Sequence, residues 1–382
     1  MFKDVIGQSV IKRRLTRAVN ENRVSHAQLF LGKEGSGNLA IALAYAQYVM
    51  CQHPVAADAC GTCSSCIKVQ KLVHPDLHFA FPVNGEKDPV SDMFIGQWRQ
   101  ALRSNPYITE QEWYQAINLE SKQGTIRVAE AEKITQKLVL KSFEGGYKIL
   151  LIWLPERMRT EAANKLLKLI EEPPAKTLFL LVVENESLLL KTIRSRTQLV
   201  NLPPVDCEAL SEMLQREHNL AQAEASALAH AANGSVVSAR RLAGQGGSGM
   251  REYYEQFVLL MQLSYGSAPN VQLAKRGENL QQLTALAKRF AEQGREYQKS
   301  FLLYAMQMLR ENFALNQNVA QAVYLSGEEA EWSAKFSPFI NPRNVAQLYA
   351  EFNLAMQQLG QNGNPKIIFT DLALKIARLI RL

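Results

Sequence analysis

The sequence predicts an α/β domain built on a parallel sheet, followed by an all-helical C-terminal half. Three observations carry that prediction. Two continuous apolar runs, "YKILLIWL" at 147–154 and "TLFLLVV" at 177–183, have the composition of strands covered on both faces. Helical segments separate the apolar runs, and strands alternating with helices imply a parallel sheet. After Pro204 no further strand pattern appears.

In chain order, residues 1–26 read as a short lead-in and an amphipathic helix, with Ile11, Leu15 and Val19 spaced four apart. Residues 27–50 read as strand, glycine turn and helix. Residues 51–66 hold four of the five cysteines. Residues 84–124 are polar, loop-like at 84–91, and carry Trp98, Tyr107, Trp113 and Tyr114; they are predicted to be an inserted, partly helical excursion. The alternation resumes with a helix over 126–141, the strand 147–154, a helix over 160–170 stopped by "EEPP", and the strand 177–183. It closes at "NLPP", residues 201–204. Three short helices are predicted over 205–243, then a linker at "GQGGSG", 244–249. Long amphipathic helices follow over 250–382, for example 280–290 and 345–359.

At 382 residues the chain has room for two or three domains, each able to bury a core. Composition is that of an ordinary globular protein, with 47% hydrophobic and 21% charged residues. The start, Met1-Phe2-Lys3-Asp4, is charged and no run of about 18 apolar residues occurs, so a cytosolic protein without a membrane span is expected. The net charge of +7 is compatible with nucleic acid or an acidic partner but does not choose between them. Lys12, Arg13, Arg14 and Arg17 read as the wet face of the first helix.

The cysteines are the strongest chemical signal. Cys51, Cys60, Cys63 and Cys66 form C-x8-C-x2-C-x2-C, and only Cys207 stands apart, read as a lone buried thiol. Thiolates separated by two residues can face one tetrahedral Zn²⁺, and four of them close the site, which makes it structural rather than catalytic. A redox pair and an iron–sulfur cluster use cysteines too, and zinc is favoured over both.

The glycine turn is a defective phosphate loop. Gly32 and Gly37 have the G-x-x-x-x-G spacing, but the Lys and Ser/Thr that should follow are Asn38 and Leu39. Asn38 brings no charge and Leu39 no metal ligand; Lys33 stands at the wrong end of the loop. Phosphoryl-transfer sites of this class also place an acid after a buried strand to hold Mg²⁺. Here that strand runs into Trp153 and Leu154, and Glu156 is displaced, suited to the start of a helix. In "TIRSRT", residues 192–197, Arg196 is placed to stabilise phosphate charge on a neighbouring subunit or, more simply, to form a surface salt bridge.

Taken in order, "FKDVIGQ" (2–8), "HAQLFLGKEGSG" (26–37), the cysteine cluster, "HPDLHF" (74–79), "ANKLLKLIEEPP" (163–174), "IRSRT" (193–197) and "NPKIIFTDLALKI" (364–376) resemble the AAA+ subunits of the bacterial replicative clamp loader. The resemblance runs end to end apart from 84–124. It implies a P-loop (AAA+) α/β domain over 1–204 with a zinc-binding insert at about 51–66, a small helical lid over 205–246, and an all-α collar for oligomerisation over 247–382. Motor subunits of that family keep the loop Lys-Thr, an Asp-Glu after the strand, and an Arg in a lid motif "GSxRDA". This chain has Asn38-Leu39, Trp153-Leu154, and Val237 within "GSVVSA".

The resemblance therefore implies a non-motor member that binds no ATP, with Arg196 as a finger acting in trans and the four cysteines holding one zinc. Thr197 stands where the family usually has Cys. The implied partners are motor ATPase subunits and a delta-type subunit, with the sliding clamp and primer-template DNA reached through the complex and no membrane. The chain would then be an accessory subunit of a DNA polymerase holoenzyme. The rival expectation is a motor subunit in which Lys33 or Glu156 serves from an unusual position.

Overall fold

The structure is a computed structural model that describes all residues except 56, 86–87, 120–122, 245, 269–271, 320–322, 326 and 362. It divides into two compact units: Met1–Met213 with Asn233–Val237, and Leu214–Ala232 with Ser238–Leu382.

The first unit follows the predicted alternation. Its elements are α1 (Ser9–Asn20), β1 (Ala27–Leu31), α2 (Asn38–Met50), α3 (Ser64–Gln70), β2 (Leu77–Ala80), α4 (Ile95–Ser104), α5 (Glu110–Ala116), α6 (Val128–Val139), β3 (Lys148–Trp153), α7 (Thr160–Glu171), β4 (Thr177–Val183), α8 (Lys191–Arg194) and β5 (Gln198–Asn201). The five strands lie in the order β2-β3-β4-β1-β5, and every pairing is parallel. β3 and β4 are buried along their whole length, as their unbroken apolar sequence requires. Ile134 and Leu138 of α6 and Leu166 and Ile170 of α7 pack with Leu150, Ile152, Phe179 and Leu181 in one core. α2 is apolar almost all round and accordingly buried almost all round.

Two strands escape the sequence reading. β2 and β5 have four residues each, too few for a periodicity to show, and β5 is exposed at three of its four positions. On α1, Arg13, Arg14 and Arg17 are exposed, as a solvated face demands. Lys12 departs from that face, its Nζ donating to Val5 O at 2.5 Å.

The excursion after β2 has a core of its own. Trp98 of α4 and Trp113 of α5 are fully buried, 5.1 Å apart and edge to face. Trp98 stacks on Phe81 at 4.3 Å, and Trp113 Nε1 donates to Pro82 O at 2.8 Å. Aromatic burial of this size explains how a polar-looking segment holds a fixed fold. Residues 86–87 and 120–122 of the excursion lie outside the described residues.

Helices α9 (Cys207–His218), α10 (Gln222–Ala231) and α11 (Val236–Gly244) match the three predicted over 205–243. The remaining helices are α12 (Gly246–Gly266), α13 (Leu273–Glu292), α14 (Arg295–Asn316), α15 (Gly327–Phe336), α16 (Val345–Gly360) and α17 (Pro365–Leu379). The stretch 244–249, expected to be a linker, is instead the end of α11 and the first turn of α12, with residue 245 outside the described residues. Its glycines lower helix propensity locally, but the apolar run from Phe257 onward, buried at Phe257, Leu260 and Met261, supports a helix long enough to extend back through them. Cys207 opens α9 and is partly exposed rather than buried. Among the described residues no helix is long and apolar enough to cross a membrane.

Candidate functional site: a closed glycine loop and a four-thiolate cluster

The glycine loop joins β1 to α2 at the C-terminal edge of the sheet, where open α/β sheets bind ligands. Gly35 and Gly37 have φ of +82° and +87°, a conformation that suits glycine. Asn38 is buried, and its side chain is turned into the protein. Nδ2 donates to Gly32 O at 3.0 Å and to Val183 O at 3.2 Å, while Oδ1 accepts from Leu39 N at 2.9 Å. The residue at the lysine position thus ties the loop to the end of β4. Lys33 is exposed at the start of the loop.

The "GSVVSA" stretch packs on the same loop. Val236 N donates to Gly35 O at 2.9 Å, and a Cβ at Gly35 would collide with Ser235 Oγ. Val237, at the position where motor subunits of the resembled family carry Arg, is buried.

At the end of β3, Trp153 is fully buried and Leu154 takes the left-handed conformation at φ +54°. Glu156 lies in a single helical turn, Pro155–Arg157, and its Oε1 accepts from Glu184 N at 2.8 Å and Asn185 N at 3.0 Å. It ties the ends of β3 and β4 together rather than opening a long helix. Burial pushes the Glu156 carboxyl above its ordinary range. Burial pushes Glu184 up as well, and the charges of Glu34, Glu156 and Glu110 add to the effect. Neither position after β3 offers an exposed acid in the place where a metal-binding carboxylate would follow the strand. Sequence reasoning missed Glu34 and Glu184, because nothing local links a loop residue to one that follows a strand 150 positions later.

Arg196 lies between α8 and β5 and is exposed. Its Nε pairs with Glu171 at the end of α7, and Nη1 donates to Thr192 O at 3.0 Å. Thr197 Oγ1 donates to Ile193 O at 3.2 Å and Arg194 O at 3.1 Å, closing the turn below it.

The four cysteines converge. Their Sγ atoms all lie within 4.8 Å of one another, and Cys60 and Cys66 Sγ are 3.9 Å apart. A tetrahedral ion with Zn–S of about 2.3 Å spaces its sulfurs at about 3.8 Å, so the donor set fits zinc. Backbone N–H groups point at three of the sulfurs: Cys60 N at Cys51, Cys63 N at Cys60 and Cys66 N at Cys63, at 3.3, 3.3 and 3.4 Å. Such donors favour thiolate, and those of Cys63 and Thr62 hold the Cys60 thiol down to about 6, whereas burial pushes the Cys51 and Cys66 thiols up. Cys63 also caps α3.

Comparison with known proteins bears on the first unit above all. Residues 7–206 match the family described as "DNA polymerase III, delta subunit". Over 235 residues the chain is 32% identical to DNA polymerase III subunit delta' of Pseudomonas aeruginosa, covering 61% of this chain and 60% of that protein. It is 28% identical over 207 residues to subunit delta' of Bacillus subtilis, covering 54% and 51%. It is also similar, at 27% over 213 residues, to subunit tau/gamma of Haemophilus influenzae, covering 56% and 25%. The matches thus span half to three-fifths of these two delta' proteins.

Proposed function

The chain belongs to the DNA polymerase III delta-subunit family, and from that premise we propose that it is a delta-prime-type, non-motor subunit of the clamp loader. It binds no ATP and donates Arg196 to the ATPase site of a neighbouring subunit. The observation that carries this reading is the state of the glycine loop. Asn38 satisfies the loop's own carbonyl, Gly32 O, together with Val183 O, and is buried at the lysine position. Such a loop has no cation to give a triphosphate and no hydroxyl to give Mg²⁺. Arg196 is by contrast exposed, held by a partner it can exchange. An arginine supplied in trans contributes roughly 10³–10⁵ to the rate in related NTPases.

On the same reading the chain comprises an α/β domain over 1–204, a lid over 205–246 and a collar over 247–382. Cys51, Cys60, Cys63 and Cys66 hold one structural Zn²⁺, and the subunit acts in the cytoplasm. The partners are motor ATPase subunits and a delta-type subunit, and through them the sliding clamp and primed DNA.

The test is a reconstituted loader carrying Arg196→Ala. DNA-stimulated ATP turnover should fall by at least tenfold, and unchanged turnover would overturn the finger role. Equilibrium binding of labelled ATP with Mg²⁺ to the isolated chain should show none; clear binding would make it a motor subunit.

A further inference from the structure

The excursion after β2 touches the defective site at three separate places. Tyr107, in the turn between α4 and α5, is only 5% exposed. Its ring lies against Gly37, the last loop residue before α2: a Cβ there would sit 3.1 Å from Tyr107 Cε1. Its hydroxyl accepts from Ile6 N at 2.8 Å, and Gln8 Nε2, two residues on, donates to Ser36 O of the loop at 3.0 Å. The ring is thereby wedged between the N-terminal lead-in and the loop.

The second place is the end of β3. Trp153, at the position where a motor subunit holds its metal-binding acid, packs on Trp98 of α4 at 5.2 Å. The third is Arg157, just beyond. Glu110 of α5 receives both Nε and Nη2 of Arg157 at 2.7 Å, a bidentate pair that fixes the guanidinium. The segment thus reaches the last loop glycine, the end of β3 and Arg157. All three lie at the C-terminal edge of the sheet, where a nucleotide would have to enter.

We propose that residues 91–117 form an intramolecular cap on the former nucleotide face, with Tyr107 seated on the glycine loop in place of a ligand. The proposal rests on the non-motor reading and adds a physical cause to it. Where the loop has neither the lysine nor the hydroxyl of a phosphate site, a tyrosine ring packs on its last glycine. The cap keeps the lead-in and the loop joined without a nucleotide to join them.

The test uses the full chain. Tyr107→Phe removes only the hydroxyl, and amide exchange at Ile6 should accelerate at least tenfold while tryptophan fluorescence stays as in the parent. Unchanged exchange at Ile6 overturns the seat. Independently, Asn38→Lys with Leu39→Thr restores the loop chemistry. Labelled ATP with Mg²⁺ should bind that pair at least tenfold more tightly once Tyr107→Ala is added, and equal affinity with and without the ring overturns the cap. Either failure leaves the non-motor reading standing, whereas ATP binding by the unmodified chain sinks that reading itself.

Discussion

The side-chain amide of Asn38 lies 3.2 Å from the carbonyl oxygen of Val183 and joins the first turn of α2 to the end of β4. The same nitrogen reaches Gly32 O, so one buried amide serves two backbone acceptors. Asn38→Ala leaves both without that donor in a buried site. It should destabilise the first unit by about 1–3 kcal/mol, measured by denaturant titration. Unchanged stability would show that the bridge is incidental.

Glu184 carries an electrostatic cost in the folded state. Its carboxyl is raised in the folded state by burial and by Glu34, Glu156 and Glu110. The folded chain therefore holds a proton that the unfolded chain has released, and stability falls as pH rises through that window. Glu184→Gln should stabilise the first unit at neutral pH. The gain should shrink as the pH drops towards the ordinary carboxylate value. Amide exchange of β3 and β4 across pH reads this out.

His78 works in the opposite sense. Its pKa is lowered from 6.5 to about 4, by burial on β2 first and by Lys137 and Lys148, with Asp76 and Asp92 opposing them. Between those values the unfolded chain binds the proton and the folded chain does not. Acidification through that window should cost up to about 3 kcal/mol. His78→Gln should flatten the stability curve between pH 6.5 and 4, followed by denaturant titration at a series of pH values.

The cysteine cluster should hold about one zinc per chain, and Cys63→Ser should reduce it to near none by metal analysis. The effect should travel. Asp58, inside the cysteine stretch, accepts from Phe2 N and Lys3 N at 2.9 Å each. Metal loss is expected to speed amide exchange at Phe2 and Lys3, and a lead-in that stays protected would separate the two.

The pair between Arg196 and Glu171 is solvent-exposed, and pairs of that kind contribute about 0–1 kcal/mol. Glu171→Gln should therefore change stability by less than about 1 kcal/mol. In a reconstituted loader it should leave ATP turnover intact, since a finger must leave Glu171 to reach a phosphate. A collapse of turnover to the Arg196→Ala level would assign the role to the pair rather than the arginine.

Elements with a strong local signal were legible from sequence alone. β1 and β4 lie where the apolar runs place them, α7 ends at "EEPP", and the C-x8-C-x2-C-x2-C spacing does bring four sulfurs together. Elements whose stability comes from elsewhere were not. β2 and β5 exist because β3 and β1 offer them parallel partners. The glycines at 246–249 are helical because the rest of α12 propagates through them.

What the sequence by itself determined was the fold class, the four-thiolate cluster and the loss of Lys, Ser/Thr and acid from a phosphate loop. Each is written in residue types at short spacing, which chemistry reads directly. Only the tertiary structure decided what packs against the glycine loop. Tyr107 stands 70 residues from Gly37 and Glu184 stands 150 from Glu34, and no local pattern couples such positions. The sheet couples them by drawing the ends of β1, β3 and β4 to one edge. There a buried amide and a tyrosine ring meet around one loop.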